Sequence, residues 1–125
     1  MGEQWHLEGQ AEPVGAGDVA ATIELRVSQG AMTTCLESSR GRTIYLVGNG
    51  SRAMVMLLEH RDGDPGEHAV DPAGAGTSGG FVLEDGQVDE YDDRDTVPMG
   101  EALRIVAHLV AEGVPPVDAS WQVDR

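Results

Sequence analysis

The chain has 125 residues, enough for a single hydrophobic core, and we predict one domain spanning residues 1–125. Its 22 acidic residues outnumber 8 basic ones, all Arg, and the formal charge of −14 argues against direct binding to nucleic acid. A single cysteine excludes a disulfide framework, and the longest apolar run, residues 53–58, is too short to cross a membrane, so we predict a cytoplasmic protein without membrane contact.

The first thirty residues contain one short strand and one segment whose pattern fits two structures. Trp5 and Leu7 lie two apart, which predicts a strand with both side chains on one face. Residues 19–29 show the alternation of a strand, but their apolar residues also recur at the four-residue spacing of a helix. Asp18 can cap such a helix and Gly30 can end it, so we favour the helix.

A tight hairpin is predicted in the middle of the chain. Two apolar runs, residues 43–47 and 52–60, flank the dipeptide Asn49-Gly50. This dipeptide is typical of two-residue hairpin turns, so the two runs should pair as antiparallel strands.

A long loop and a second hairpin follow. Residues 61–80 are rich in Gly and Asp and predict a loop with at most one short strand near 68–70. Residues 81–91 predict a hairpin that turns at Asp85-Gly86.

The clearest helix runs from Pro98 to Glu112. Pro suits the first helical position, Thr96 is a possible cap, and Gly113 ends the helix. One face carries an apolar stripe formed by Ala102, Ile105, Val106, Leu109 and Val110.

The last predicted element is a strand over residues 117–123 with one buried face, formed by Val117, Ala119, Trp121 and Val123. Together these elements predict the α+β class: an antiparallel sheet of about five or six strands with one or two helices packed on it.

The sequence shows no pattern of an active site. The four histidines lack paired metal-ligand spacing, and the glycine-rich residues 71–81 lack the GK[ST] ending of a phosphate loop. Cys35 has no basic neighbour close in sequence and is interpreted as a small core residue. We therefore predict no catalytic residues, no metal and no cofactor: the protein is not an enzyme.

The acidic stretch at residues 84–95 holds seven carboxylates and one Arg around a tyrosine. So many charges cannot be buried together, so they must lie at the surface. Some of them can favour the positive end of the following helix, and a solvated surface that only maintains solubility is the simplest alternative. Because Tyr is enriched at interface hot spots, we predict a partner-binding surface formed by Asp89, Glu90, Tyr91, Asp92, Asp93 and Asp95.

Several short motifs follow one another after residue 96: Val97-Pro98, the run Glu101-Ala102-Leu103, Gly113 with the following proline pair, and Trp121. In this order they resemble the C-terminal half of a family of bacterial immunity proteins that are encoded beside polymorphic toxins. The resemblance extends over residues 40–124 and is loose before them; Gly100 departs from the family, which has a better helix former at that position.

The resemblance implies that the chain is an immunity protein. The toxins encoded beside that family commonly have a nucleic-acid deaminase fold. The expected partner is therefore a cognate toxin domain with a basic surface, and the chain is expected to occlude its active site. The alternative is an acidic secretion chaperone that binds an unfolded export segment.

Overall fold

The protein folds as an antiparallel sheet with two helices on one face and a separate hairpin on the other. The computed structural model describes residues 2–125. The helices are α1 (Val19–Ser28) and α2 (Met99–Glu112). The strands in this part of the chain are β1 (Trp5–Leu7), β2 (Thr33–Ser38), β3 (Thr43–Gly48), β4 (Arg52–Leu58), β5 (Glu67–Ala69), β6 (Thr77–Val82), β7 (Val88–Asp92), β8 (Val97–Pro98) and β9 (Trp121–Val123).

Seven strands form the main sheet, in the spatial order β1-β2-β3-β4-β5-β9 with β8 beside β4. Every neighbouring pair is antiparallel. The predicted α+β class is confirmed. The strand count differs slightly because β2 and the two-residue β8 were not predicted, and because β6 and β7 pair only with each other.

Residues 19–28, whose pattern fitted two structures, form α1. The helix buries Val19 and Ile23, which lie one turn apart against the core. Asp18 stands at the N-cap position, but its side chain makes no capping hydrogen bond. Among residues 2–125, no helix combines the length and the apolar character needed to cross a membrane.

The main core lies between the helices and one face of the sheet. The predicted apolar stripe of α2 is buried at Ala102, Ile105, Val106 and Leu109. The sheet supplies alternate residues of its central strands, because successive side chains in a strand point to opposite faces. These are Leu36 of β2, Ile44 and Leu46 of β3, and Ala53, Val55 and Leu57 of β4.

The start of α2 differs from the prediction. Pro98 precedes the helix and does not occupy its first turn, and Thr96 does not cap it. Thr96 is fully buried, and its hydroxyl oxygen accepts a hydrogen bond from Arg52 Nε at 2.8 Å. The end of α2 agrees with the prediction, since Gly113 takes the left-handed conformation with φ of 77°.

The last strand is shorter than predicted. Only Trp121–Val123 pairs with β5, and the Val117 side chain is fully exposed. Residues 116–119 form a turn in which Ala119 N donates to Pro116 O at 3.1 Å, which prevents an extended strand there. Trp121 packs against the core as predicted for its strand.

Candidate partner-binding surface

The second face of the main sheet is also apolar, and a hairpin partly covers it. This hairpin, formed by β6, β7 and their connection at residues 77–92, is called the acidic hairpin below. Phe81 of β6 is fully buried, and its ring lies 4.9 Å from that of Tyr91. The hairpin is attached to the sheet by two hydrogen bonds: Thr33 Oγ1 donates to Val82 O at 2.7 Å, and Asn49 Nδ2 donates to Gly79 O at 3.0 Å.

Negative charge without a nearby cation is concentrated on the acidic hairpin. Of the 22 acidic residues, 12 have a carboxylate oxygen within 4.0 Å of an Arg or His nitrogen. Among the described residues ten acids remain outside such pairs, and half of them lie on this hairpin: Glu84, Asp85, Asp89, Glu90 and Asp92. The excess charge is therefore unevenly distributed, and the acidic hairpin is its densest part.

The predicted residues on β7 alternate between two faces, as neighbours in a strand must. Glu90 and Asp92 are exposed and point away from the sheet. Asp89 and Tyr91 are half-buried, and the Tyr91 hydroxyl donates to Asp89 Oδ2 at 3.2 Å. Burial and then the Asp89 carboxylate raise the pKa of Tyr91, so its hydroxyl stays protonated.

The other two predicted residues, Asp93 and Asp95, make structural contacts. The Asp93 carboxylate accepts a hydrogen bond from Ser78 Oγ, and its backbone N–H donates to Gly76 O at 2.9 Å. Asp95 Oδ1 lies 3.0 Å from His68 Nε2. The six predicted residues are therefore close in the chain, but only four of them lie on the acidic hairpin.

Arg52 of β4 holds the base of the acidic hairpin. One terminal nitrogen of its guanidinium donates to Asp71 Oδ2 at 2.8 Å, to Thr96 O at 2.9 Å and to Asp93 O at 3.0 Å. The loop before β6 and the segment after β7 therefore meet at one cation. Gly74 completes the contact, because a Cβ at this position would lie 2.6 Å from the Asp93 carbonyl carbon.

A groove of about 390 Å³ lies between the acidic hairpin and the second face of the main sheet. It is called the methionine groove below. The sheet contributes Thr33, Tyr45, Val47, Met54 and Met56, and the hairpin contributes Leu83, Glu84, Asp85 and Tyr91. Direct cross-strand pairing places Met54 beside Val47 and Met56 beside Tyr45. The groove thus has an apolar floor and two carboxylates at one rim.

Two polar groups of the methionine groove already have partners within the protein. The Thr33 hydroxyl donates to Val82 O, and the Tyr91 hydroxyl donates to Asp89. Neither donor is free to bind a polar ligand, because a hydroxyl has one proton to donate. The groove is therefore suited to an apolar group.

A third feature, near the groove, brings together three groups of metal-ligand type: Glu8, Cys35 and Glu84. The Cys35 thiol is buried, which together with the Glu8 charge raises its pKa to about 12. Glu8 is also paired with Arg61. A neutral thiol is a poor nucleophile, so the raised pKa argues against a nucleophilic role for Cys35.

The sequence reasoning did not identify Tyr45, Met54 and Met56 as site residues. One signal was present: residues 52–58, Arg-Ala-Met-Val-Met-Leu-Leu, are apolar at both odd and even positions after the first residue. Such a run is typical of a strand covered on both faces. It does not indicate how completely the second face is covered.

Comparisons of this chain with protein-family models, with curated proteins and with solved structures find no match.

Proposed function

We propose that the protein is an immunity protein that binds a cognate toxin domain with a basic surface and occludes its active site. The toxin expected from the family resemblance has a nucleic-acid deaminase fold. The observation that carries the proposal is the concentration of unpaired carboxylates on the acidic hairpin. The chain itself performs no chemistry in this proposal.

The physical basis is competition for a cationic surface. An enzyme that acts on nucleic acid needs positive charge near its active site, because phosphates dominate the attraction. A protein of charge −14 is drawn to the same surface and associates faster as salt is lowered. The exposed carboxylates of Glu90 and Asp92 take the place of phosphates in this encounter.

The test uses the domain encoded at the end of the neighbouring toxin gene, mixed with this protein. We expect the protein to abolish the activity of that domain at equimolar concentration. Reversing two charges with Glu90→Lys and Asp92→Lys should lower the association rate about tenfold or more at low salt. Asp93 is left unchanged in this variant, because its carboxylate bonds Ser78.

A matched control is available on another part of the surface. Glu12 and Glu24 are exposed and have no ion pair within the described residues. Glu12→Lys with Glu24→Lys changes the net charge by the same amount as the hairpin variant. If both variants slow association equally, only the net charge matters, and the acidic hairpin is not the interface.

The second candidate function, an acidic secretion chaperone, is favoured by one observation, the open apolar groove. An extended, unfolded segment can fill such a groove as well as a folded domain can. The two functions separate when the protein is offered the folded toxin domain and, in parallel, the toxin's disordered export segment. A chaperone binds the segment and leaves the toxin active, whereas an immunity protein binds the domain and inhibits it.

A further inference from the structure

We infer that the methionine groove is an anchor pocket that receives one large apolar side chain, such as Phe, Leu or Met, from a basic partner. In that partner, Arg or Lys residues flank the apolar side chain and meet the acidic rim. This inference rests on the proposed function and adds the position and the chemistry of the central contact.

The first support is the composition of the groove floor. Met54, Met56 and Val47 present flexible or apolar side chains, and Met adapts to ligands of irregular shape. The Tyr45 and Tyr91 rings stand among them, and aromatic rings are enriched in interface hot spots. The volume of about 390 Å³ exceeds that of any single side chain, which is enough room for an aromatic ring.

The second support is the pairing of the hydroxyl groups. Thr33 and Tyr91 use their protons within the protein, so an apolar side chain leaves neither donor unsatisfied. A polar metabolite would find no free hydroxyl proton on Thr33 or Tyr91, and it would lose its own hydrogen bonds to water. The groove therefore favours an apolar group over a polar one.

The third support is charge complementarity, which determines the kind of residues that flank the apolar side chain in the partner. Glu84 and Asp85 line the groove, are exposed and have no ion pair within residues 2–125. Cations beside the inserted side chain would neutralise them. A second copy of this chain would bring its own acidic rim against this one, and like charges placed face to face are unfavourable.

The test uses two capped pentapeptides, RRFRR and RRARR, titrated into the full-length protein and followed by NMR. We expect RRFRR to bind about tenfold more tightly than RRARR, since the phenyl ring removes more apolar area from water. The methyl signals of Met54 and Met56 should shift with RRFRR only.

Two variants test the location. Met54→Gln with Met56→Gln keeps the side-chain length but makes the floor polar, and Leu83→Asp changes the hairpin side of the groove. Each should reduce the preference for RRFRR to about onefold. The methionine variant should leave RRARR binding nearly unchanged, whereas the added carboxylate of Leu83→Asp should strengthen the binding of both peptides alike. Circular dichroism and urea unfolding establish whether each variant is folded. If the methionine double variant is unfolded, Leu83→Asp alone tests the location.

The possible outcomes separate this inference from the proposed function. Equal binding of both peptides, weakened by salt and by Glu90→Lys with Asp92→Lys, overturns the anchor pocket and leaves the acidic surface. A phenylalanine preference that persists in the groove variants also overturns it, as does the absence of any peptide binding.

A wild-type dimer in sedimentation that dissociates in the methionine variant would assign the groove to a second copy and overturn the inference. A preference that is lost in the groove variants but insensitive to charge reversal supports the pocket and contradicts the acidic interface.

Discussion

His68 joins three separate parts of the chain through one side chain. Its Nδ1 lies 2.7 Å from Asp124 Oδ2 after β9, and its Nε2 lies 3.0 Å from Asp95 Oδ1 before α2. Both nitrogens donate only when the imidazole is protonated. Burial opposes protonation, but the hydrogen bonds to Asp95 and Asp124 outweigh it, and the pKa of His68 is raised above 6.5.

The first prediction concerns pH. A raised pKa in the folded state means that the contribution of His68 is fully present below about pH 6.5 and is lost as the pH rises through the folded-state pKa. We therefore expect His68→Gln to lower the free energy of unfolding more at about pH 6 than at about pH 9. Urea unfolding at both pH values measures this, with His60→Gln as the exposed control. An equal loss of unfolding free energy at both pH values would show that the contacts of His68 with Asp95 and Asp124 do not depend on the charged imidazole.

At the scale of elements, the base of the acidic hairpin and the first turn of α2 contain glycines with opposite surroundings. A Cβ on Gly74 would lie 2.6 Å from the Asp93 carbonyl carbon and 2.7 Å from Arg94 N, and backbone atoms cannot move aside cheaply. A Cβ on Gly100 would meet no atom within 4 Å.

The second prediction follows from these surroundings. Gly74→Ala should destabilise the protein by about 1–3 kcal/mol through overpacking. Gly100→Ala should stabilise it by about 0.5–1 kcal/mol, because Gly in a helix loses more backbone entropy than Ala. The urea midpoints of the two variants, compared with wild type, give both values. A Gly74→Ala midpoint equal to that of wild type would mean that the hairpin base is loosely packed.

The elements that were predicted correctly are those with a strong local signal. The apolar stripe of α2 follows the helical period. The predicted hairpin of β3 and β4 also forms, with Gly50 and Ser51 at the centre of its turn because Asn49 N donates to Arg52 O. β2 lacks such a signal, because Thr33 and Thr34 are polar residues that are nonetheless buried. Their partners lie far away: Thr33 bonds Val82 O across 49 residues, which no local pattern reveals.

The candidate site was predictable only in part for the same reason. Charge density along the chain is a property of the sequence, so the sequence alone identifies the acidic stretch. The methionine groove forms from β2, β3, β4 and the acidic hairpin together, and its existence depends on how the hairpin lies on the sheet. The orientation of each predicted partner-binding residue, and whether it makes structural contacts, likewise depends on the three-dimensional fold.

At the scale of the whole molecule, electrostatic repulsion opposes folding. The charge of −14 includes five unpaired acids on one hairpin. Three ion pairs, Glu8–Arg61, Glu101–Arg104 and Arg104–Asp118, have both side chains exposed, and such pairs each contribute only about 0–1 kcal/mol. Salt screens both effects, with a Debye length of about 10 Å at 0.1 M. We expect the repulsion to be the larger effect, because the 22 acidic residues outnumber the 8 basic ones.

The third prediction is therefore that NaCl stabilises the protein. Raising the salt from about 0.02 M to about 0.5 M should raise Tm by a few degrees in differential scanning calorimetry. The variant Glu90→Gln with Asp92→Asn should have a higher Tm than the wild type in low salt, and its Tm should rise less when NaCl is added. A Tm that falls with added salt would mean that the ion pairs of Arg42, Arg52 and their partners outweigh the repulsion.

The edges of the main sheet limit how the protein can assemble. Both outer strands, β1 and β9, are only three residues long and so offer few free backbone groups to an approaching chain. In the two-stranded sheet each of β6 and β7 has one edge without a strand partner, and on β7 the carboxylates of Glu90 and Asp92 repel any strand that carries negative charge. Fibre growth by edge-to-edge pairing is thereby discouraged, and recognition through side chains is favoured over a sheet shared between two proteins.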